Sequence, residues 1–129
     1  MKRLNYLILT LLFFIGNAAA ASPIYTEDKL AIMVTADKPE FVIKLTSNPT
    51  TGYSWYLREY DNNIISPVKH YFGAPTRQLV GAVGYELWTL KVKPAGFIVP
   101  QQTIVRFVYA RPWDAEDQAK QLVFRVTTH

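Results

Sequence analysis

No cysteine occurs in the 129 residues. That excludes a disulfide framework, a thiolate nucleophile and a thiolate metal site, and it leaves stability to an apolar core. Histidine is nearly as scarce, with only His70 and the terminal His129. A lone His70 beside Tyr71 reads as structural. The one approach to a nucleophile elbow, Gly52-Tyr53-Ser54-Trp55-Tyr56, lacks the last glycine of G-x-S-x-G and the helix that follows it, so catalysis is not expected. Charge of one sign is also lacking. The formal +4 includes Lys2 and Arg3 at the very N-terminus and falls to +2 without them, and the remaining bases are scattered among acids. This is the pattern of a solvated mixed surface and not of a nucleic-acid partner. The longest apolar stretch, Leu4 to Ile15, is short for a membrane span, which leaves an uncleaved anchor as the less favoured alternative to a cleaved segment.

What that stretch does fit is a secretory signal. Met1-Lys2-Arg3 supplies the charged region, Leu4 to Ile15 the apolar region, and Ala18-Ala19-Ala20-Ala21 the small residues of an A-x-A cleavage site after Ala20 or Ala21. Residues 1–21 are read as a signal peptide and residues 22–129 as one domain, exported to the periplasm or the medium, monomeric and without stable membrane insertion after cleavage. The absence of cysteine excludes a lipid-anchored form that needs a lipidated Cys.

Downstream, period-two alternation with β-branched and aromatic enrichment marks Ala31 to Thr35, Phe41 to Ser47, Tyr53 to Tyr60, Gly84 to Lys93, Thr103 to Ala110 and Gln121 to Thr127. Phe41, Ile43 and Leu45 share one face; Thr103, Val105, Phe107 and Tyr109 share another; Leu122, Phe124 and Val126 make a third inward set. Pro67 interrupts Ile64 to Phe72, which reads as an edge strand or a broken connection. Turn residues separate these segments, and no helical stripe appears. About seven short strands at this spacing predict an all-β, immunoglobulin-like β-sandwich, with a closed barrel as the alternative.

The densest local signal lies between two of these strands: Asn48-Pro49-Thr50-Thr51-Gly52-Tyr53. Pro49 fixes its own φ and pushes Asn48 toward extended geometry, the threonines are stiff at χ1, and Gly52 can take a positive φ. Two readings follow, an ordinary turn or a rigid loop with little entropy to lose on entering a cleft. In a sandwich, loops at one end lie together. This loop can therefore share a surface with Gly73 to Gly84, which holds Gly81-Ala82-Val83-Gly84, and with Arg111-Pro112-Trp113 and the acidic Asp114 to Asp117. Asp114, Glu116 and Asp117 lack the ligand spacing and glycine of a calcium loop and read as a solvated face.

These three segments, in this order and on these strands, resemble the chagasin family of cysteine-peptidase inhibitors, whose marks are an NPTTG-type loop, a GxGG loop and an RPW-type loop. The resemblance covers essentially the whole of residues 22–129. It implies reversible, competitive occlusion of a papain-like peptidase cleft by three loops, without cleavage and without a cofactor. It assigns partner binding to Asn48, Pro49, Thr50, Thr51, Gly52 and Tyr53, to Gly81, Ala82, Val83 and Gly84, and to Arg111, Pro112 and Trp113. Thr50 and Thr51 are the residues expected nearest the catalytic pair, and Asn48 is expected to hold the loop's shape. Tyr53 is a packing residue or a contact. Trp113 is an aromatic anchor or a core residue that closes the sandwich end. Arg111 bonds the partner, or pairs with Asp114 or Glu116 to hold its own loop. The middle loop departs from the pattern, since Val83 stands where the family usually has glycine. If that position needs positive φ, Val83 there costs about 1–3 kcal/mol, and a shifted conformation is expected.

Two other readings stay open. Trp55, Tyr56, Trp88 and Trp113 could serve a carbohydrate-binding or adhesive module if they line an exposed sheet face, whereas Trp113 beside Thr51 at a loop end fits a protease cleft. An interaction domain that kept the fold and lost potency is the third.

Overall fold

The computed structural model describes residues 21–73 and 83–129. Residues 1–20, most of the expected signal peptide, and residues 74–82, Gly81 and Ala82 included, lie outside the described residues. Eight strands form two four-stranded sheets. They are β1 (Ile24–Thr26), β2 (Ala31–Val34), β3 (Glu40–Ser47), β4 (Ser54–Tyr60), β5 (Ile65–Gly73), β6 (Gly84–Val92), β7 (Gln102–Ala110) and β8 (Lys120–Thr128). One sheet runs β1-β3-β6-β5 and the other β2-β8-β7-β4. Among the described residues each sheet keeps two free edges, which is a sandwich and not a closed barrel. Among the described residues the only helical pieces are short 3-10 turns at Pro49–Thr51, Pro94–Phe97 and Glu116–Gln118.

Alternation decides what is inside. Phe41, Ile43 and Leu45 from β3 meet Leu90 and Val92 from β6, Val105 and Phe107 from β7, and Phe124 and Val126 from β8, all buried. Phe107 stands edge-on to Phe124 and to Trp88, the geometry that aromatic quadrupoles favour. Every segment expected as a strand is one, with ends shifted by a residue or so. The eighth strand, β1, was not expected. It is three residues long and pairs in parallel with β3, too short for alternation to show.

Ile64 to Phe72 resolves as an edge strand. β5 pairs with β6 alone, and its register shifts between Pro67 and Lys69. An edge strand with a bulge is where a proline is tolerated, and both features discourage pairing with another chain. The other long edge, β4, is also broken, between Leu57 and Glu59.

Register is what assembles the functional end. Ser47, the last residue of β3, pairs with Gly84, the first of β6. Ser54, the first of β4, pairs with Ala110, the last of β7, and Gly73 at the end of β5 pairs with Tyr85. The stems of the 48–53, 74–83 and 111–119 loops therefore stand at one end of the sandwich.

Candidate functional site

The 48–53 loop is a single 3-10 turn over Pro49–Thr51, capped at both ends by its own residues. Asn48 is extended (φ −121°, ψ 91°), and its Oδ1 accepts from Thr50 N at 3.3 Å. The same oxygen accepts from the Thr50 hydroxyl at 2.6 Å, and the Thr51 hydroxyl donates to the Asn48 carbonyl at 2.7 Å. At the exit, Gly52 has φ +86° and ψ −6° and donates its N–H to the Pro49 carbonyl at 3.1 Å. It is the only described residue with positive φ, which is the region where an L side chain is strained. Asn48 thus holds the loop's shape as expected. Both threonine hydroxyl protons are spent on Asn48, so the exposed Thr50 and Thr51 present methyl groups and oxygen lone pairs outward.

The loop is also braced from below. Asn48 N donates to the Tyr109 hydroxyl at 3.1 Å. Tyr53 stacks on the Tyr109 ring with centroids 5.2 Å apart, and Trp55 packs on the same Tyr109 ring with centroids 4.8 Å apart. Tyr53 is therefore a packing residue, half-buried and joined to β7. Sequence reasoning placed Tyr109 on a strand face and missed this bracing role. The signal available was its position as the last aromatic before the Arg111-Pro112-Trp113 loop.

Arg111 resolves in favour of holding its own loop. Its Nε and one terminal nitrogen each donate to Asp114 at 3.1 Å, and its backbone N–H donates to the same carboxylate at 3.1 Å. Asp114 N returns a bond to the Arg111 carbonyl. The guanidinium's hydrogen bonds hold the Asp114 carboxyl below the usual carboxylate range, and the carboxylate in turn raises Arg111 above its ordinary value. Glu116 is not Arg111's partner. It faces Arg58 at 3.1 Å and Arg106 at 3.6 Å, so Asp114 and Glu116 serve separate sets of cations.

Trp113 is 72% exposed, which removes the core reading. The Arg111 guanidinium lies 5.4 Å from its ring and 5.1 Å from that of Tyr53. A side-chain carbon at Gly52 would lie within 4.0 Å of both Arg111 and Trp113. The first and third loops are therefore in contact, with the threonines and an exposed indole on one surface.

The middle loop is described only at its exit. Val83 is exposed at 52%, and Gly84 is buried where it opens β6. The expected shift around Val83 concerns residues 81–83, of which Gly81 and Ala82 lie outside the described residues. The other tryptophans do not line an exposed sheet face: Trp55 is buried in the core and Trp88 packs against it.

The profile of the chagasin family peptidase inhibitors, I42, matches residues 36–128. Chagasin of Trypanosoma cruzi is 37% identical over 75 residues, which make up 55% of this chain and 64% of chagasin, so the aligned part spans less than two thirds of that relative. Among solved structures, a cysteine protease inhibitor of Entamoeba histolytica superposes with a TM-score of 0.67 at 21% identity, covering 83% of this chain and 95% of the inhibitor. The solution structure of amebosin superposes with a TM-score of 0.64 at 22% identity, covering 85% of this chain and the whole of that one. At such identities the two superpositions speak to fold.

Proposed function

This chain belongs to the chagasin family of peptidase inhibitors, and from that premise we propose that it is a reversible, competitive inhibitor of papain-like cysteine peptidases, with the 48–53 and 111–114 loops as its working surface. The observation that carries the reading is the meeting of a self-capped, prolyl-rigidified Thr50-Thr51 tip with a mostly exposed Trp113 on the neighbouring loop.

A papain-like site holds a thiolate beside an imidazolium at the bottom of a groove. An inhibitor must fill that groove without offering a carbonyl in attack geometry. A 3-10 turn does this, because its backbone is curled into its own hydrogen bonds instead of being extended across the nucleophile. Asn48 O is occupied by Thr51, and Pro49 O by Gly52. The loop tip offers acceptor oxygens to the groove's donors, and its methyls exclude water. Trp113 supplies a flat anchor of the type that dominates interface energy. Preorganisation lowers the ordering cost of binding. On this reading Asn48, Pro49, Thr50, Thr51 and Gly52 enter the cleft, Pro112 and Trp113 flank it, and Gly81, Ala82, Val83 and Gly84 are further partner-binding residues. Tyr53 and Arg111 support from behind. The protein works as a monomer, and residues 1–21 direct export to the periplasm or the medium, a destination supported by their charged, apolar and small-residue regions.

The test is titration of the folded domain against a papain-like peptidase with a small fluorogenic substrate. Competitive inhibition at nanomolar concentration, with the inhibitor recovered uncut, is the expected result. A folded sample that leaves several such peptidases untouched at micromolar concentration would overturn it.

A further inference from the structure

Alternation along β6 sends Glu86 to the same inward side as Leu90 and Val92, and it is fully buried there. A buried carboxyl group is costly unless its oxygens are satisfied, and an aliphatic residue would serve the core at least as well. The reason for its presence lies in what it holds. Oε2 accepts from the Ser47 hydroxyl at 2.7 Å, from Trp55 N at 3.0 Å and from the Ser54 hydroxyl at 3.3 Å. Oε1 lies 2.8 Å from His70 Nε2, whose ring stacks on Trp88 with centroids 3.7 Å apart.

These partners are not scattered. Ser47 ends β3 immediately before Asn48, while Ser54 and Trp55 open β4 immediately after Tyr53. Glu86 itself lies two residues beyond Gly84, where the middle loop returns to the sheet. One oxygen therefore clasps both stems of the threonine loop, and does so across the two sheets, since β3 and β4 belong to different ones. The Trp55 indole reinforces the same gap, donating to the Thr46 carbonyl at 2.9 Å.

We propose that Glu86 is the positioning residue of the inhibitory surface: its carboxyl group fixes the spacing between Ser47 and Ser54 and so holds the Asn48–Tyr53 loop in its binding shape before any peptidase arrives. Glu86 touches no partner; it acts through the loop stems. The assignment rests on the inhibitor reading above for its purpose, and on the hydrogen bonds alone for its mechanics.

Three variants of the full domain separate positioning from general stability. Glu86→Ala removes the clasp. Glu86→Gln keeps one acceptor oxygen for Ser47, Ser54 and Trp55 and turns its amide toward His70 Nε2, which accepts in the Nδ1–H tautomer. Ser47→Ala removes one stem only. Amide hydrogen exchange is read residue by residue, beside inhibition of a papain-like peptidase. In Glu86→Ala, exchange at Asn48 and at Thr50 to Trp55 should quicken while that of β7 and β8 stays near wild type. Inhibition should weaken about ten- to thirty-fold, as loss of a buried hydrogen-bond acceptor implies. Glu86→Gln should restore both to within about threefold. Should Glu86→Ala not fold, Ser47→Ala carries the test, with selective quickening of the same amides and a loss of about three- to five-fold. Uniform quickening across all strands, or a variant with unchanged loop amides, would overturn the proposal. If the wild-type protein inhibits nothing, the inhibitor reading fails by itself, and the exchange pattern still decides whether Glu86 holds the loop.

Discussion

Substituting alanine for Gly52 tests the loop at the point where geometry and energy are most cleanly connected. The residue has φ +86° and ψ −6°, and an added Cβ would meet Arg111 Cγ at 3.8 Å and Trp113 Cη2 at 4.0 Å. Those are ordinary contact distances, so no steric clash contributes and the whole cost is conformational. Left-handed backbone costs an L-residue about 1–2 kcal/mol. Alanine also narrows the unfolded ensemble, offsetting about 0.4–1 kcal/mol. The net destabilisation is therefore about 1 kcal/mol, which for a domain of roughly 100 residues lowers Tm by about 4–8 °C. Thermal melting followed by circular dichroism reads this directly, and Gly52→Asn should lose less, because asparagine visits the left-handed region more readily. If the loop relaxes by leaving that region, the Gly52 to Pro49 hydrogen bond is lost with it. Part of the cost then moves from stability into weaker inhibition, so the two measurements belong together. An alanine variant with Tm and inhibition both unchanged would refute the claim that the positive φ is required.

Further outcomes follow from the same surface. Trp113→Ala should weaken inhibition by about 2 kcal/mol, roughly thirty-fold, with Tm barely changed because the indole is mostly exposed; a large fall in Tm would contradict its placement. Tyr109→Phe deletes the acceptor of the Asn48 N–H and should cost about 1 kcal/mol of stability, with faster exchange of that amide as the specific sign. Asp114 is held below the ordinary carboxylate range by the Arg111 guanidinium and backbone N–H. Its contribution to loop order is thus present above the ordinary aspartate range and lost as pH falls through the depressed value in the folded protein. An acid titration of tryptophan fluorescence should show a transition that Asp114→Asn abolishes; persistence of the transition in that variant would assign it to another group.

How much of this was legible beforehand depended on the length over which a pattern could repeat. The strands carrying Phe41 to Leu45 and Phe124 to Val126 announced themselves through alternation, and their buried faces are the ones the pattern gave. β1 escaped because three residues hold no period. Val108 and Ala110 lie on the face opposite Val105 and Phe107 and yet are buried as well, which strand parity alone does not convey. The loops could be read from residue chemistry, since Pro49 and Gly52 restrict local dihedrals wherever they occur. Partner choice could not. Arg111 takes Asp114 within its own loop, but that Glu116 takes Arg58 and Arg106 depends on where the β4–β7 pairing places those two arginines. Glu86 was hidden for the same reason. An acid at an inward position is a detectable anomaly, but the identity of its partners required the register of three other strands.

The pairing of Ser47 with Gly84 and of Ser54 with Ala110 has a consequence for how the protein is made. The stems of the threonine loop find their neighbours only after chain far downstream in sequence has been synthesised, and such non-local pairing is intrinsically slow. A nascent or truncated chain lacking β7 possesses every residue of the threonine tip but not Tyr109, which accepts from Asn48 N and stacks on Tyr53. The complete loop surface should therefore arise late, on completion of the second sheet.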